Sequence, residues 1–374
     1  MDNDEIYWYW LCNLKDVWRG TISAILRDFG EPKNFFFAGE REIITWIQER
    51  NNECNKKPMI KKNIFVNRRN REFLLREVDK NKKKGIFFIS CQNDKFPDKL
   101  RNINDMPFGL FFRGKVEYLD KLNDRALAIV GARNCTEYGK ALSRRAGFEM
   151  GVCGINIVSG MARGIDTEGL YGCLEGGGFP VAVLGNGVDV CYPRENIDLY
   201  EKIRENGLLV SEYRIGAPPL AWQFPMRNRI ISGLADKVLV TEAKKKSGSL
   251  ITVDFALEQG KDILAVPGRA SDILSEGCNE LIKQGAAMIT EPKDLCSEFE
   301  VDIYNKFEFY KNKNNALEKD LETLYSCVDL LPKSIECLKV ESGLEESKFY
   351  SSLLSLQMMN LIVEPTKNYY VRKR

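Results

Sequence analysis

Residues 126–166 read ALAIVGARNCTEYGKALSRRAGFEMGVCGINIVSGMARGID, and this stretch decides the fold. It opens on an apolar run from Ala126 to Val130, turns at Gly131, passes through a helix-like segment from Gly139 to Met150, and returns to a second short run at Asn156 to Val158. Runs of this length without polar alternation suit strands buried on both faces, as in a parallel sheet. Strand, crossover helix and second strand make one right-handed unit.

The unit recurs toward the C-terminus. Val181 to Leu184, Leu208 to Val210, Lys237 to Val240 and Asp262 to Val266 read as further strands, with Asn196 to Glu205, Ser249 to Glu258 and Glu276 to Lys283 as helices between or after them. The alternation predicts an α/β fold, an extended Rossmann-like doubly wound parallel sheet. Ligands of such sheets bind at the carboxyl ends of the strands.

The flanks differ in composition. Residues 1–84 place Ile22, Ile25, Leu26 and Phe29, then Ile43, Ile44, Trp46 and Ile47, at helical spacing, which predicts a helical domain. Its end is basic: Lys56, Lys57, Lys61, Lys62, Arg68, Arg69, Arg71, Arg76, Lys80, Lys82, Lys83 and Lys84 face only Glu72, Glu77 and Asp79. That stretch reads as a solvated helix face and linker, with an accessory phosphate-binding surface as the alternative. The Rossmann-like domain is expected over 85–305 and an Asn/Lys-rich linker over 306–319. Residues 320–374 carry helix-like runs at Leu321 to Leu331, Ser334 to Val340 and Lys348 to Met359, then short strands at Leu361 to Val363 and Tyr369 to Val371. Helices followed by a hairpin are the order of a winged helix.

Composition narrows the chemistry. The 374 residues hold 55 Lys and Arg against 53 Asp and Glu, a net charge of +2, so an anion site must arise from local clustering. There is no histidine, which excludes Ser-His-Asp and Cys-His nucleophile systems and any His-containing metal site. The 11 cysteines include no C-x-x-C pair, a pattern that suits reduced thiols in a cytoplasm better than a metal centre. The only apolar run near the N-terminus, Tyr7 to Cys12, is too short for a signal sequence or membrane span, so a soluble cytoplasmic protein is expected.

The residues following each strand carry the chemistry. After the first comes Gly131-Ala132-Arg133, and after the second Ser159-Gly160-Met161-Ala162-Arg163-Gly164-Ile165-Asp166. The third loop runs from Gly185-Asn186-Gly187 to Tyr192-Pro193-Arg194, the fourth connection contains Phe224-Pro225-Met226-Arg227-Asn228-Arg229, and the fifth holds Lys244, Lys245 and Lys246 before Ser247-Gly248-Ser249. Glycines, small hydroxyls and cations at helix starts let backbone amides and guanidinium groups converge on phosphate oxygens. The G-x-G-x-x-G fingerprint and the Walker loop are both absent, which disfavours dinucleotides and P-loop nucleotide hydrolysis; no cofactor is expected. A repeated set of cations beside Trp222 and Phe224 suits a row of phosphates with bases to stack.

These motifs, in order and spacing from about Gly85 to Leu295, closely resemble the DprA/Smf family of DNA-processing proteins. The resemblance implies a non-enzymatic protein that binds single-stranded DNA without strong sequence preference, forms a homodimer, and loads the RecA recombinase during natural transformation. Carried over position by position, it implies Arg133, Arg163, Arg194, Arg227, Arg229 and Lys246 as phosphate cations. Ser159, Gly160, Gly248 and Ser249 would supply amides and hydroxyls, with Phe224, Asn228 and Ser247 in the same motifs. Two departures stand out. Gly169-Leu170-Tyr171 replaces the histidine usual after Gly-Ile-Asp, and Leu14 to Arg19 lacks the glycines of the family's N-terminal helix-hairpin-helix-like turn. The alternative is a nucleotide-processing enzyme of the lysine-decarboxylase-like phosphoribohydrolase type, in which a glutamate a few residues after the glycine turn acts on the N-glycosidic bond; here Glu258 lies ten residues beyond Gly248, on a helix where a solvent-facing role is favoured.

Overall fold

A computed structural model describes residues 4–53, 65, 69–301, 319–329, 332–358 and 361–372. The basic residues Lys56, Lys57, Lys61, Lys62 and Arg68, most of the expected linker and the terminal Lys373-Arg374 lie outside the described residues. Contacts divide the chain into two compact units, Met1–Val301 and Asp302–Arg374.

The first unit is built on one sheet: β1 Ile86–Ser90, β2 Gly109–Gly114, β3 Ala126–Val130, β4 Asn156–Ser159, β5 Pro180–Val183, β6 Leu208–Ser211, β7 Lys237–Val240, β8 Asp262–Ala265 and β9 Ala287–Met288. Their spatial order is β1-β2-β6-β5-β4-β3-β7-β8-β9. From β6 to β9 every neighbouring pair is parallel. Every residue of β3, β4, β5 and β6 is buried, which is why these strands lack polar alternation. β4, β5 and β6 are laid in turn on one side of β3, after which the chain crosses back and places β7 on the other. The carboxyl ends of β3 and β7 therefore form the topological switch point, where such sheets open a crevice.

Three features were not read from the sequence. β1 and β2 add an antiparallel edge, β2 pairing Phe112 with Val210 of β6, so the sheet is mixed although parallel-dominated. The fourth connection is a helix, Gln223–Leu234. The N-terminal helices, Glu5–Cys12, Arg19–Phe29, Pro32–Phe37, Glu40–Glu53 and Arg71–Lys82, share one hydrophobic core with the sheet. The Glu5–Cys12 helix is buried on all sides from Ile6 to Leu11, and the Glu5 carboxylate accepts from Ser90 N at 3.1 Å and Asn93 Nδ2 at 2.8 Å. Residues 84 and 85 thus mark a change of element, while apolar packing runs across them.

Helix Glu137–Val152 packs closely on helix Ile165–Glu175. Gly172 makes the approach possible, because a Cβ there would overlap the Arg144 carbonyl oxygen. This packing fixes where both helices begin, at the edge of the crevice.

In the second unit, helices Lys319–Cys327, Ile335–Ser342 and Glu346–Met358 accompany a small antiparallel sheet, β10 Lys333–Ser334, β11 Ile362–Thr366 and β12 Tyr369–Arg372, in the order β10-β12-β11. Leu324, Leu338, Phe349, Leu356 and Ile362 fill its own core. The order of elements is that of a winged helix. Among the described residues no helix is long and apolar enough to cross a membrane.

Candidate nucleic-acid interface

A cleft of about 710 Å³ opens at the β3/β7 switch point. Arg133 enters it from the turn after β3; Lys244, Lys246, Ser247, Gly248 and Ser249 enter from the loop after β7; and Phe224, Arg227 and Asn228 enter from helix Gln223–Leu234.

The β7 side presents an open helix start. Ser247 caps helix Gly248–Glu258, its Oγ accepting from Ser249 N at 3.4 Å and lying 2.8 Å from Ser249 Oγ. Nothing lies within 4 Å of the place a Cβ would take on Gly248, so that backbone faces open space. Exposed Lys244 and Lys246 add charge to the positive end of the helix. Asn228 bridges to this loop, donating from Nδ2 to Gly248 O at 3.3 Å. Opposite, Arg133 is exposed and holds its Cζ 5.8 Å from the centre of the Phe224 ring. Phe224 leans on Tyr192 at 5.5 Å and 31°. It can do so because residue 185 is glycine; a Cβ there would come within 2.7 Å of the ring.

Two other strand-to-helix connections hold the protein's own carboxylates. Glu242, buried, accepts from Thr136 N at 2.9 Å and from Thr136 Oγ1, while Thr136 Oγ1 accepts from Gly139 N at 3.1 Å. The start of helix Glu137–Val152, where a dinucleotide pyrophosphate would sit in a Rossmann fold, is thereby occupied. Asp166, in the first turn of helix Ile165–Glu175, takes the loop leading into that helix, its Oδ2 accepting from Gly160 N at 3.1 Å and Ala162 N at 3.4 Å. Burial pushes the Asp166 carboxyl above its ordinary value, against the opposing effects of Arg227 and the loop amides. Arg227 donates from Nη1 to Gly160 O at 2.9 Å and to Val183 O, and burial lowers its pKa to about 10 although Asp166 opposes the shift. The opposite charges of Asp166 and Arg227 offset one another in the cleft floor, which leaves Arg133, Lys244 and Lys246 to set the local field.

The cleft thus unites Arg133, Phe224, Asn228, Lys246, Ser247, Gly248 and Ser249, with Arg227 beneath them. Arg163 and Gly160 line a side pocket of about 110 Å³ that shares Arg133 and Phe224, and Arg163 is ion-paired to Glu195. Arg194 is exposed at the start of the turn Arg194–Asn196 and lines neither space.

Three of the expected ligands are engaged within the protein itself. Ser159 is fully buried and donates to Ile129 O at 2.6 Å, so its hydroxyl serves the sheet. The Gly160 amide is taken by Asp166. Arg229 is 1% exposed and gives Nη2 to both Glu212 oxygens, at 2.6 and 2.7 Å, away from the cleft. The reason is helical: residues two apart on a helix point about 200° apart, so Arg227 and Arg229 cannot serve one face. Phe224, Asn228 and Ile231, at i, i+4 and i+7, do share the cleft face. Tyr192 and the capping role of Glu242 were missed; Tyr192 followed by proline in a post-strand loop was the available signal, whereas nothing local marks Glu242.

Residues 87–300 match the family model described as DNA recombination-mediator protein A. The chain belongs to that family. Among its relatives, the DNA processing protein DprA of Streptococcus pneumoniae is 43% identical over 214 residues, 57% of this chain and 74% of the relative. A solved structure of that pneumococcal protein aligns with a TM-score of 0.59 at 32% identity, covering 80% of this chain and 98% of that one. The Helicobacter pylori DNA processing protein A, whose structure is described for its single-stranded DNA binding mode, aligns with a TM-score of 0.51 at 28% identity over 57% of this chain and 95% of that one. Every cleft residue named above falls within the part of the chain that matches the DNA recombination-mediator protein A model.

Proposed function

We propose that the crevice binds single-stranded DNA without strong sequence preference, and that the protein, as a cytoplasmic homodimer, loads RecA recombinase onto the strand during natural transformation and recombination. The observation that carries the reading is the cleft itself: an open helix start ringed by Arg133, Lys244 and Lys246, with the Phe224 and Tyr192 rings beside it. Such a surface grips phosphates and stacks bases without reading base edges. The single-strand binding mode described for the Helicobacter pylori relative supports it.

The reading is a binding function, not an enzymatic one. The acid and base in the cleft floor, Asp166 and Arg227, are engaged by each other and by the backbone. Glu258, on which a phosphoribohydrolase reading depends, is the last residue of helix Gly248–Glu258, about 15 Å along the axis from the open start.

Titrating single-stranded and duplex DNA of equal length at several salt concentrations tests the proposal. Single strands bind more tightly, and log affinity falls against log salt with a slope of about −0.7 per phosphate contact. Tighter duplex binding overturns it. Arg133→Glu abolishes detectable binding with little change in melting temperature; normal binding by this variant would move the strand out of the crevice. Recruitment of RecA is read from filament growth on oligonucleotides coated with single-strand binding protein, with and without the protein.

A further inference from the structure

A second cleft, of about 480 Å³, lies within the same unit, between the Leu14–Ile22 segment and the beginning of helix Gln223–Leu234. Its walls include Trp18, Trp222, Tyr213 and Phe108. The Trp18 and Trp222 rings meet edge-on at 4.9 Å, and Tyr213 stands against Trp222 at 6.0 Å and 82°. Tyr213 is held by its hydroxyl, which donates to Gln223 O at 3.2 Å. The group is ordered, yet its tryptophans are open: Trp18 is 39% and Trp222 42% exposed, against 6% or less for Trp8, Trp10 and Trp46. Neither open indole N–H has a hydrogen-bond partner among the described residues, whereas Trp8 and Trp46 donate to Gln92 and Asp28.

This cleft adjoins the crevice. Pro219 and Ala221 line the crevice, while Pro218, Leu220 and Trp222 line the second cleft, so alternate residues of one short segment face the two spaces. The first turns of helix Gln223–Leu234 are divided likewise, Arg227 and Asn228 facing one side and Met226 and Arg229 the other. The charge on the second side favours an anionic chain. Glu212 is spent on Arg229, and Arg19 on Asp105, which leaves Lys15 and Arg214 beside one acid, Asp16.

We propose that the second cleft is a nucleobase site: a strand whose phosphates occupy the crevice crosses the low wall at Pro219–Ala221 and lays an unstacked base against Trp222 and Trp18. The inference rests on the single-strand reading of the crevice and extends it to residues outside the family-matched region, since Trp18 belongs to the N-terminal helices. Aromatic faces accept any base, so the site adds affinity without sequence preference.

The test uses the full chain and its own fluorescence, because the two open tryptophans are the ones a ligand can reach. Oligothymidylate, an abasic oligonucleotide of equal length and inorganic phosphate are titrated in turn. Oligothymidylate quenches the emission and binds more tightly than the abasic strand, with roughly 5- to 150-fold of the difference coming from the one base at this cleft. The abasic strand and phosphate leave the emission unchanged. In Trp18→Leu/Trp222→Leu the preference for oligothymidylate falls by that factor, to what the Phe224 and Tyr192 rings of the crevice supply, while abasic binding persists, and Trp18→Phe/Trp222→Phe restores most of the loss. Equal binding of the two oligonucleotides by the native chain, or an unchanged preference in the Leu variant, overturns the base site and leaves the crevice standing. Absence of binding by either oligonucleotide brings down both. If the Leu variant loses self-association and keeps the preference, the cleft joins two copies of the chain and the base site is refuted.

Discussion

Helix Glu137–Val152 and helix Gly248–Glu258 start at the same edge of the sheet, after the neighbouring strands β3 and β7, yet one start is closed and the other open. At the first, the buried Glu242 carboxylate takes the Thr136 donors that a phosphate would otherwise meet. At the second, Ser247 makes one long contact to Ser249 N, and Gly248 faces space. A doubly wound sheet offers an anion-receptive helix start after most of its strands. Here two of them lie against the protein's own carboxylates and the one after β7 is open, which on the proposed reading is where a phosphate chain is received.

The largest expected effect comes from removing the buried carboxylate of Asp166. Asp166→Ala leaves Arg227 buried without its counter-charge, and urea denaturation at neutral pH is expected to show a loss of about 3–5 kcal/mol. The pH dependence has a definite sign. Because burial raises the Asp166 pKa in the fold, the native protein loses part of its stability as pH rises from the unfolded carboxyl value of about 3.9 through the folded value, so the variant's deficit is larger below that window than at neutral pH. A stability difference between native and variant protein that does not change across that window would contradict the assignment.

Removing the other carboxylate should cost less and change the ligand preference. Glu242→Ala removes a charged acceptor from Thr136, with an expected loss of about 1–3 kcal/mol by denaturant unfolding. The freed helix start should then behave like the β7 one, so added inorganic phosphate raises the variant's melting temperature more than the native protein's. Equal responses would erase the distinction between closed and open starts.

The open side is probed by gentler changes. Arg133→Lys keeps the charge and loses the planar fork, for an expected loss of about 1–2 kcal/mol in single-strand affinity by fluorescence anisotropy. Ser247→Ala removes the cap of helix Gly248–Glu258, at about 1 kcal/mol of stability by thermal or urea unfolding. A larger stability loss at Ser247 than at Glu242 would reverse the comparison.

Much of this arrangement was legible in the order of residues alone. Buried runs such as Ala126 to Val130 and Lys237 to Val240, glycines after strands and Ser247 before a helix are local signals, set by backbone sterics and by which faces must avoid water. They sufficed for the doubly wound sheet, the strand-end edge where the crevice opens, and Arg133, Lys246 and Gly248 along it. The division of labour among similar residues was not legible, because it depends on partners distant in the chain. Glu242 reaches a helix start 106 positions earlier, and Ser159 is claimed by a carbonyl 30 positions away. Arg227 and Arg229, indistinguishable as neighbours in a basic motif, are separated only by the helix that turns one toward Gly160 and the other toward Glu212. Burial completes the selection: once enclosed, a polar side chain must spend its hydrogen bonds on whatever the fold brings beside it, and only those left at the open crevice remain free for a ligand.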